Sequence, residues 1–160
     1  MDRRQFLNLC AAAFAADLAS SAFAADAQPT FIGKVVKTPD QWRVLLTPEQ
    51  FYVLREEGTE RAFTSPLNDE KRKGTFVCAG CDLPLFKSDT KYDSGTGWPS
   101  FWAPIPGALA TKVDYKLIAP RTEYHCRRCD GHQGHVFEDG PKPTGLRYCN
   151  NGVALSFTPS

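Results

Sequence analysis

The sequence predicts a mainly β, single-domain fold with short helices at its N-terminal end, stapled by a metal held on four cysteines. Three observations carry that expectation. Two C-x-x-C pairs, Cys78/Cys81 and Cys126/Cys129, can each aim two sulfurs at one point. The segment Thr47-Pro48-Glu49-Gln50 is a helix start with an N-cap, a proline in the first turn and a glutamine that completes a capping box. From Thr75 onward, short β-favouring runs are separated by Gly, Pro and Asp turns.

In chain order, residues 28–46 carry Pro29, Gly33 and Pro39 and read as an extended lead-in. The helix from Thr47 runs to about Glu57 and stops at Gly58, with Phe51, Leu54 and Tyr52 as its apolar contact and Glu49, Glu56 and Glu57 facing solvent. Residues 58–74 read as a loop with room for a second short helix, and Lys71-Arg72-Lys73 as a solvated charge run. The strand candidates are 75–77, 112–115, 117–118, 123–125, 135–137 and 154–157. None alternates long enough to give a topology. A core of this size gains from a metal staple, and no internal repeat or second domain is visible.

Residues 1–27 are set apart as an export signal of twin-arginine type, cleaved near residues 24–27, leaving 28–160 as the domain. Arg3 and Arg4 precede an Ala-rich run interrupted by Asp17, and Ala22-Phe23-Ala24 is an A-x-A cleavage site. A Sec signal or membrane anchor is the alternative, although the run is short and weakly apolar for a stable span. Export implies a periplasmic or other extracytoplasmic location. A twin-arginine route carries folded cargo, so the thiols can capture metal in the reducing cytoplasm first. Cys10 lies in the signal, and five of the six cysteines remain after cleavage.

The doubled pair fits one structural zinc; it also fits iron on four thiolates, or two disulfides in an oxidising compartment. A formal net charge of +1 gives no field for nucleic acid, even with Arg127 and Arg128 inside the second pair.

The fifth cysteine stands alone in Gly145-Leu146-Arg147-Tyr148-Cys149-Asn150-Asn151. In an extended segment Arg147, Cys149 and Asn151 share a face, so the guanidinium can lower the thiol pKa and the amide can orient a polar substrate atom. A lone strand cysteine is also a common buried hydrophobe. Two imidazoles, His132 and His135, flank a glycine and can donate protons near neutral pH. Gly95-Thr96-Gly97-Trp98-Pro99 offers a tight turn with a flat aromatic wall, or simply a buried aromatic turn.

Together these segments resemble the B-type peptide-methionine (R)-S-oxide reductases, or methionine-R-sulfoxide reductases. The resemblance runs through LTPEQFYVLREEGTERAF, GTFVCAGCDLPLF, KYDSGTGWPSF, CRRCDGHQGHVFEDGP and TGLRYCNNGVALSF, in that order. It implies two antiparallel sheets, one structural zinc on Cys78, Cys81, Cys126 and Cys129, and thiol-dependent reduction of the R epimer of methionine sulfoxide. By motif, Cys149 is the nucleophile. Trp98 forms the pocket for the substrate methyl group, and His132, His135 and Asn151 surround the sulfoxide oxygen. Arg147 and Asp139 form the electrostatic shell, with Asp139 on the substrate-binding side. The chemistry requires such types: a thiolate attacks sulfur, and the oxygen leaves only once protonated. The product is a sulfenic acid on Cys149.

Many members of that family carry a resolving cysteine where this chain has Thr96, and some carry one near Phe63, where this chain has Thr64. Gln133 and Asn150 stand where aliphatic residues are usual. The resemblance therefore implies a one-cysteine cycle completed by an external thioredoxin-like, glutaredoxin or small-thiol reductant. A rubredoxin-like electron carrier and a zinc-ribbon binding module are the other readings. Neither accounts for Trp98, His132, His135 and Cys149 occurring together.

Overall fold

The computed structural model describes residues 32–160, so the export-signal segment lies outside the described residues. Two helices open the chain. Helix α1 (Pro39–Leu45) corrects the expectation of an extended lead-in: Thr38 caps it, Gln41 completes the capping box and Pro39 stands in its first turn. Thr38-Pro39-Asp40-Gln41 repeats the signature of Thr47-Pro48-Glu49-Gln50, which starts helix α2 (Pro48–Glu56) with the same reciprocal bonds. Trp42 of α1 is buried, with the Arg55 guanidinium 4.6 Å from its ring. Helix α2 buries Phe51, Val53 and Leu54, whereas Tyr52 is exposed. It ends with Glu57, not Gly58, in the left-handed region (φ 56°), and the Glu57 carboxylate pairs with Lys112 and Lys116. The second short helix is one 3-10 turn, Pro66–Asn68.

The remainder is two antiparallel sheets. Strands β1 (Gly74–Cys78), β2 (Pro84–Lys87) and β9 (Leu155–Pro159) form the smaller, in the order β2-β1-β9. The larger contains β3 (Lys91–Tyr92), β4 (Ser100–Phe101), β5 (Leu109–Asp114), β6 (Arg121–Cys126), β7 (His132–Phe137) and β8 (Arg147–Asn150), ordered β3-β4-β8-β7-β6-β5. Leu117 and Ile118, expected as strand, instead lie in the turn between β5 and β6, with Ile118 fully exposed. Asp114 closes that turn by accepting the Lys116 amide and pairing with Arg121 at 2.6 Å, and Asp114 and Arg121 end the β5–β6 ladder, so residues 115–120 form its connection.

An aromatic cluster joins the layers. Phe86 and Phe101 stack at 4.1 Å between ring centroids, Phe76 meets Phe101 edge-on at 5.0 Å, and Tyr124 approaches Phe86 from the larger sheet. All four are completely buried, and such contacts add about 0.5–1.5 kcal/mol per pair beyond area burial. With these rings fixed, β7 and β8 have one face free to build a site.

Candidate functional site

The four paired cysteines converge. Cys78 ends β1 and Cys126 ends β6, so the cluster ties the smaller sheet to the larger. The two turns are built alike. In the first, Cys78 O accepts from the amides of Cys81 and Asp82; in the second, Cys126 O accepts from Asp130. Asp82 (φ 56°) and Asp130 (φ 57°) both take the left-handed conformation, which the short polar side chain tolerates. All four sulfurs lie within 4.8 Å of one another, with Cys78–Cys129 at 3.6 Å and Cys81–Cys126 at 3.5 Å. Zinc at about 2.3 Å from each sulfur would space them by about 3.8 Å, so the donor set fits a tetrahedral thiolate site. None of the four is disulfide-bonded. Arg55 donates to Cys129 O (2.8 Å) and Cys129 Sγ (3.7 Å), and Gln133 donates to Cys78 Sγ (3.4 Å). These cationic and amide donors stabilise negatively charged sulfur.

The fifth thiol lies elsewhere. Cys149 on β8 stands directly opposite His135 on β7 and Ser100 on β4. Directly opposed residues of antiparallel strands project to the same face, so register alone puts imidazole and thiol side by side. The close approach of β7 to β8 depends on Gly134, where a Cβ would fall 1.9 Å from Cys149 O. A cavity of about 120 Å³ opens here, lined among others by Thr59, Trp98, His135, Cys149 and Asn151. That is well below the roughly 300–1,000 Å³ of pockets that enclose whole small ligands and suits the end of one side chain.

Trp98 is held edgewise by its indole Nε1, which donates to Glu60 O at 3.2 Å. The turn before it is clamped by Phe63, whose amide donates to Gly97 O and whose ring covers Gly97, itself at φ 90°. Asn151 borders the cavity but much of its amide is engaged: Nδ2 donates to Gln133 O (3.0 Å) and Oδ1 accepts from the Glu60 amide (3.0 Å). Glu60 also accepts from the amides of Gly152 and Val153, fixing the turn after β8.

The two histidines are not equivalent. His135 borders the cavity and its Nε2 lies 2.7 Å from Asp114 Oδ2; His132 is buried, with Nδ1 2.8 Å from Glu123 Oε1. A carboxylate only accepts, so each of these nitrogens carries the proton. The rings meet edge-on at 5.5 Å. Burial lowers the pKa of both, taking His132 down to about 4 and outweighing the neighbouring acids. At neutral pH both imidazoles are therefore neutral, each with its second nitrogen free as an acceptor. His132 Nε2 has no hydrogen-bond partner among the described residues. The sequence expectation of ready proton donors near neutrality is corrected by this burial.

Arg147 and Asp139 form a two-pronged ion pair, both bonds 2.8 Å, with the guanidinium 4.3 Å from the Phe137 ring. Asp139 is 62% exposed and belongs with Arg147 to a surface depression beside the thiol, outside the lining of the Cys149 cavity. It reaches the site through Arg147. Burial pushes the Cys149 thiol above its ordinary value of 9.0, against the opposing pull of Arg147 and a hydrogen bond from Thr96. Arg147 lowers the thiol pKa as expected, but desolvation outweighs it. Sequence reasoning missed Glu60, Asp114 and Glu123. Glu60 had a signal in the quoted GTERAF segment, but the two histidine partners follow only from strand register.

Comparison with known proteins accords with this architecture. A family model described as SelR domain matches residues 46–159. The chain is 57% identical over 127 residues to the peptide methionine sulfoxide reductase MsrB of Pseudomonas putida (strain W619), covering 79% of this chain and 96% of that protein. It is 54% identical over 127 residues to the protein of that name from Agrobacterium fabrum, covering 79% and 94%, and 52% identical over 125 residues to that from Leptospira interrogans, covering 78% and 95%. With the family model spanning both sheets, the cysteine cluster and the Cys149 cavity, this chain belongs to the SelR domain family.

Proposed function

We propose that this protein is a peptide-methionine (R)-S-oxide reductase in which Cys149 attacks the sulfoxide sulfur. The observation that carries the reading is the Cys149 cavity: a thiol outside the metal cluster, an aromatic wall and a neutral imidazole share a space sized for a side-chain terminus. Trp98 takes the S-methyl end, and the polar side with His135 and Asn151 takes the oxygen. The wrong epimer exchanges these two groups and leaves buried polar atoms unpaired.

Because burial keeps the resting thiol protonated, the reaction needs no outside acid for its first step. The thiol proton passes by way of a neutral imidazole to the sulfoxide oxygen as sulfur bonds to sulfur. Oxygen then moves to Cys149, giving methionine and a sulfenic acid: Cys–SH and the sulfoxide become Cys–SOH and the sulfide. An external thiol condenses with the sulfenic acid, releasing water and leaving a mixed disulfide. A second thiol restores Cys149 and departs within a disulfide. Thr96 and Thr64 supply no internal thiol for this step.

Zinc is the metal assigned to Cys78, Cys81, Cys126 and Cys129, on the sulfur spacing and the donor set. When bound, it would cross-link the two sheets through Cys78 and Cys126. Twin-arginine export of residues 28–160 to the periplasm rests on Arg3-Arg4 and the A-x-A site; transport that persists after both arginines become lysine removes that support. Among the described residues no helix is long and apolar enough to cross a membrane.

Turnover of the separate R and S epimers of a methionine sulfoxide substrate, with dithiothreitol as reductant, tests the activity. Only the R epimer is expected to yield methionine. Cys149→Ser is expected to abolish turnover while leaving fold and bound metal intact; retained turnover contradicts the assignment.

A further inference from the structure

Two completely buried amides lie between the cysteine cluster and the cavity. Gln133 Nε2 donates to Cys78 Sγ at 3.4 Å, and Gln133 Oε1 accepts from Asn150 Nδ2 at 3.3 Å. Asn150 Nδ2 also donates to Asn151 O at 2.8 Å, while Asn150 Oδ1 accepts from Tyr124 OH at 2.8 Å. The main-chain oxygen of Gln133 accepts both Asn151 N (2.8 Å) and Asn151 Nδ2 (3.0 Å). A string of hydrogen bonds therefore runs from a cluster sulfur through both side-chain amides to the main-chain oxygen of Asn151, whose own side chain is held by the Gln133 main chain.

Apolar side chains of similar size would fill this space without desolvating two amides, whose polar atoms must each find a partner once buried. Here the polar contacts are matched in direction. A metal-bound sulfur only accepts, so the Gln133 amide has one permitted orientation, NH2 toward Cys78 and oxygen toward Asn150. Flipping it would face oxygen to sulfur and set two NH2 groups against each other. Gln133 in turn leaves Asn150 one orientation, because its own oxygen is held by Tyr124.

We propose that Gln133 and Asn150 are positioning residues: a buried amide relay that couples the four-cysteine cluster to the main chain of Asn151 at the edge of the substrate cavity. The inference uses the sulfoxide-reductase reading for the cavity, but its test does not depend on turnover.

The experiment uses the full chain loaded with zinc and measures zinc transfer to a colorimetric chelator, together with the thiolate-to-metal absorption band of the cobalt-loaded form. Gln133→Leu is expected to release zinc at least about tenfold faster, the scale on which outer-shell partners act, and to shift the cobalt band by removing the N–H···S bond. Asn150→Leu, which does not touch the cluster, is expected to accelerate release as well, because it frees the Gln133 amide. Gln133→Leu/Asn150→Leu is expected to be no faster than Gln133→Leu alone, since both act on one string. Wild-type release and an unshifted band in Gln133→Leu, or additive effects of the two substitutions, overturn the relay. If a single variant does not fold, the double variant carries the test, because two leucines leave neither amide stranded: fast release supports the relay and wild-type release overturns it. Failure of the reductase reading would instead appear as a wild-type protein that turns over neither epimer.

Discussion

At Cys149 two opposing effects set the reactivity. Burial raises the thiol pKa, Arg147 and Thr96 lower it, and Asp139 raises it again by holding Arg147. Desolvation wins, so alkylation of Cys149 by iodoacetamide should keep accelerating as pH rises past 9. Asp139→Asn leaves the guanidinium charge free for the thiol and should move that profile to lower pH; Arg147→Gln should move it higher. A profile indifferent to both substitutions would remove Arg147 from the account. The sequence placed Cys149, Arg147 and Asn151 on one stretch and His132 and His135 on another, and the fold brings Cys149 against His135. What it did not show is how hard each side chain is already held. Asn151 is engaged by Glu60, which is 91 residues away, and His135 by Asp114, which is 21 away. Such pairings depend on register, which no local pattern encodes.

Among the elements, the β7–β8 pair matters most, because it sets thiol against imidazole. Any side chain at Gly134 meets the backbone of β8, so Gly134→Ala must part the strands. That variant should lose about 1–3 kcal/mol in urea unfolding and most of its turnover; wild-type stability would mean that the strands do not meet as described. Strands β1, β5, β6, β7 and β9 were visible as β-favouring runs. Strands β3 and β4 have two residues each, too few to show a period, and β2 begins at a proline tolerated at a strand start. Helix α1 was also legible: its T-P-x-Q start matches that of α2, although Pro29, Gly33 and Pro39 argued for extended chain. Leu117-Ile118 also misled, β-favouring in type but placed in a turn that Asp114 closes.

For the molecule as a whole, the cysteine cluster is a second link between the sheets, beside the packing of Phe76 and Phe86 on Phe101. Removing the metal with a strong chelator should lower the melting temperature sharply, and an unchanged melting curve would show that the cluster carries no folding energy. Acid should weaken the fold through a buried imidazole. His132 is pushed from 6.5 to about 4 in the folded protein, so between these values the unfolded chain binds the extra proton. Stability should therefore fall as pH drops through that window, by about 3 kcal/mol at about 1.4 kcal/mol per pH unit. His132→Gln should flatten that part of the curve. Glu57, lowered to about 2 by Lys112 and Lys116, adds a further loss only below its ordinary carboxylate value, small because the pair is partly exposed. The paired cysteines announced the link between sheets, whereas the strand order β3-β4-β8-β7-β6-β5 could not be read from runs this short.

The central claim, stereospecific oxygen transfer to one thiol, is tested most directly by mass spectrometry after a single turnover. Reduced, metal-loaded protein is mixed with one equivalent of the R epimer and no reductant, in the presence of a reagent that traps sulfenic acids. The account predicts trapping at Cys149 alone, no intramolecular disulfide, all four cluster cysteines unmodified, and no reaction with the S epimer. A disulfide between Cys149 and a cluster cysteine, or equal trapping with both epimers, would contradict it.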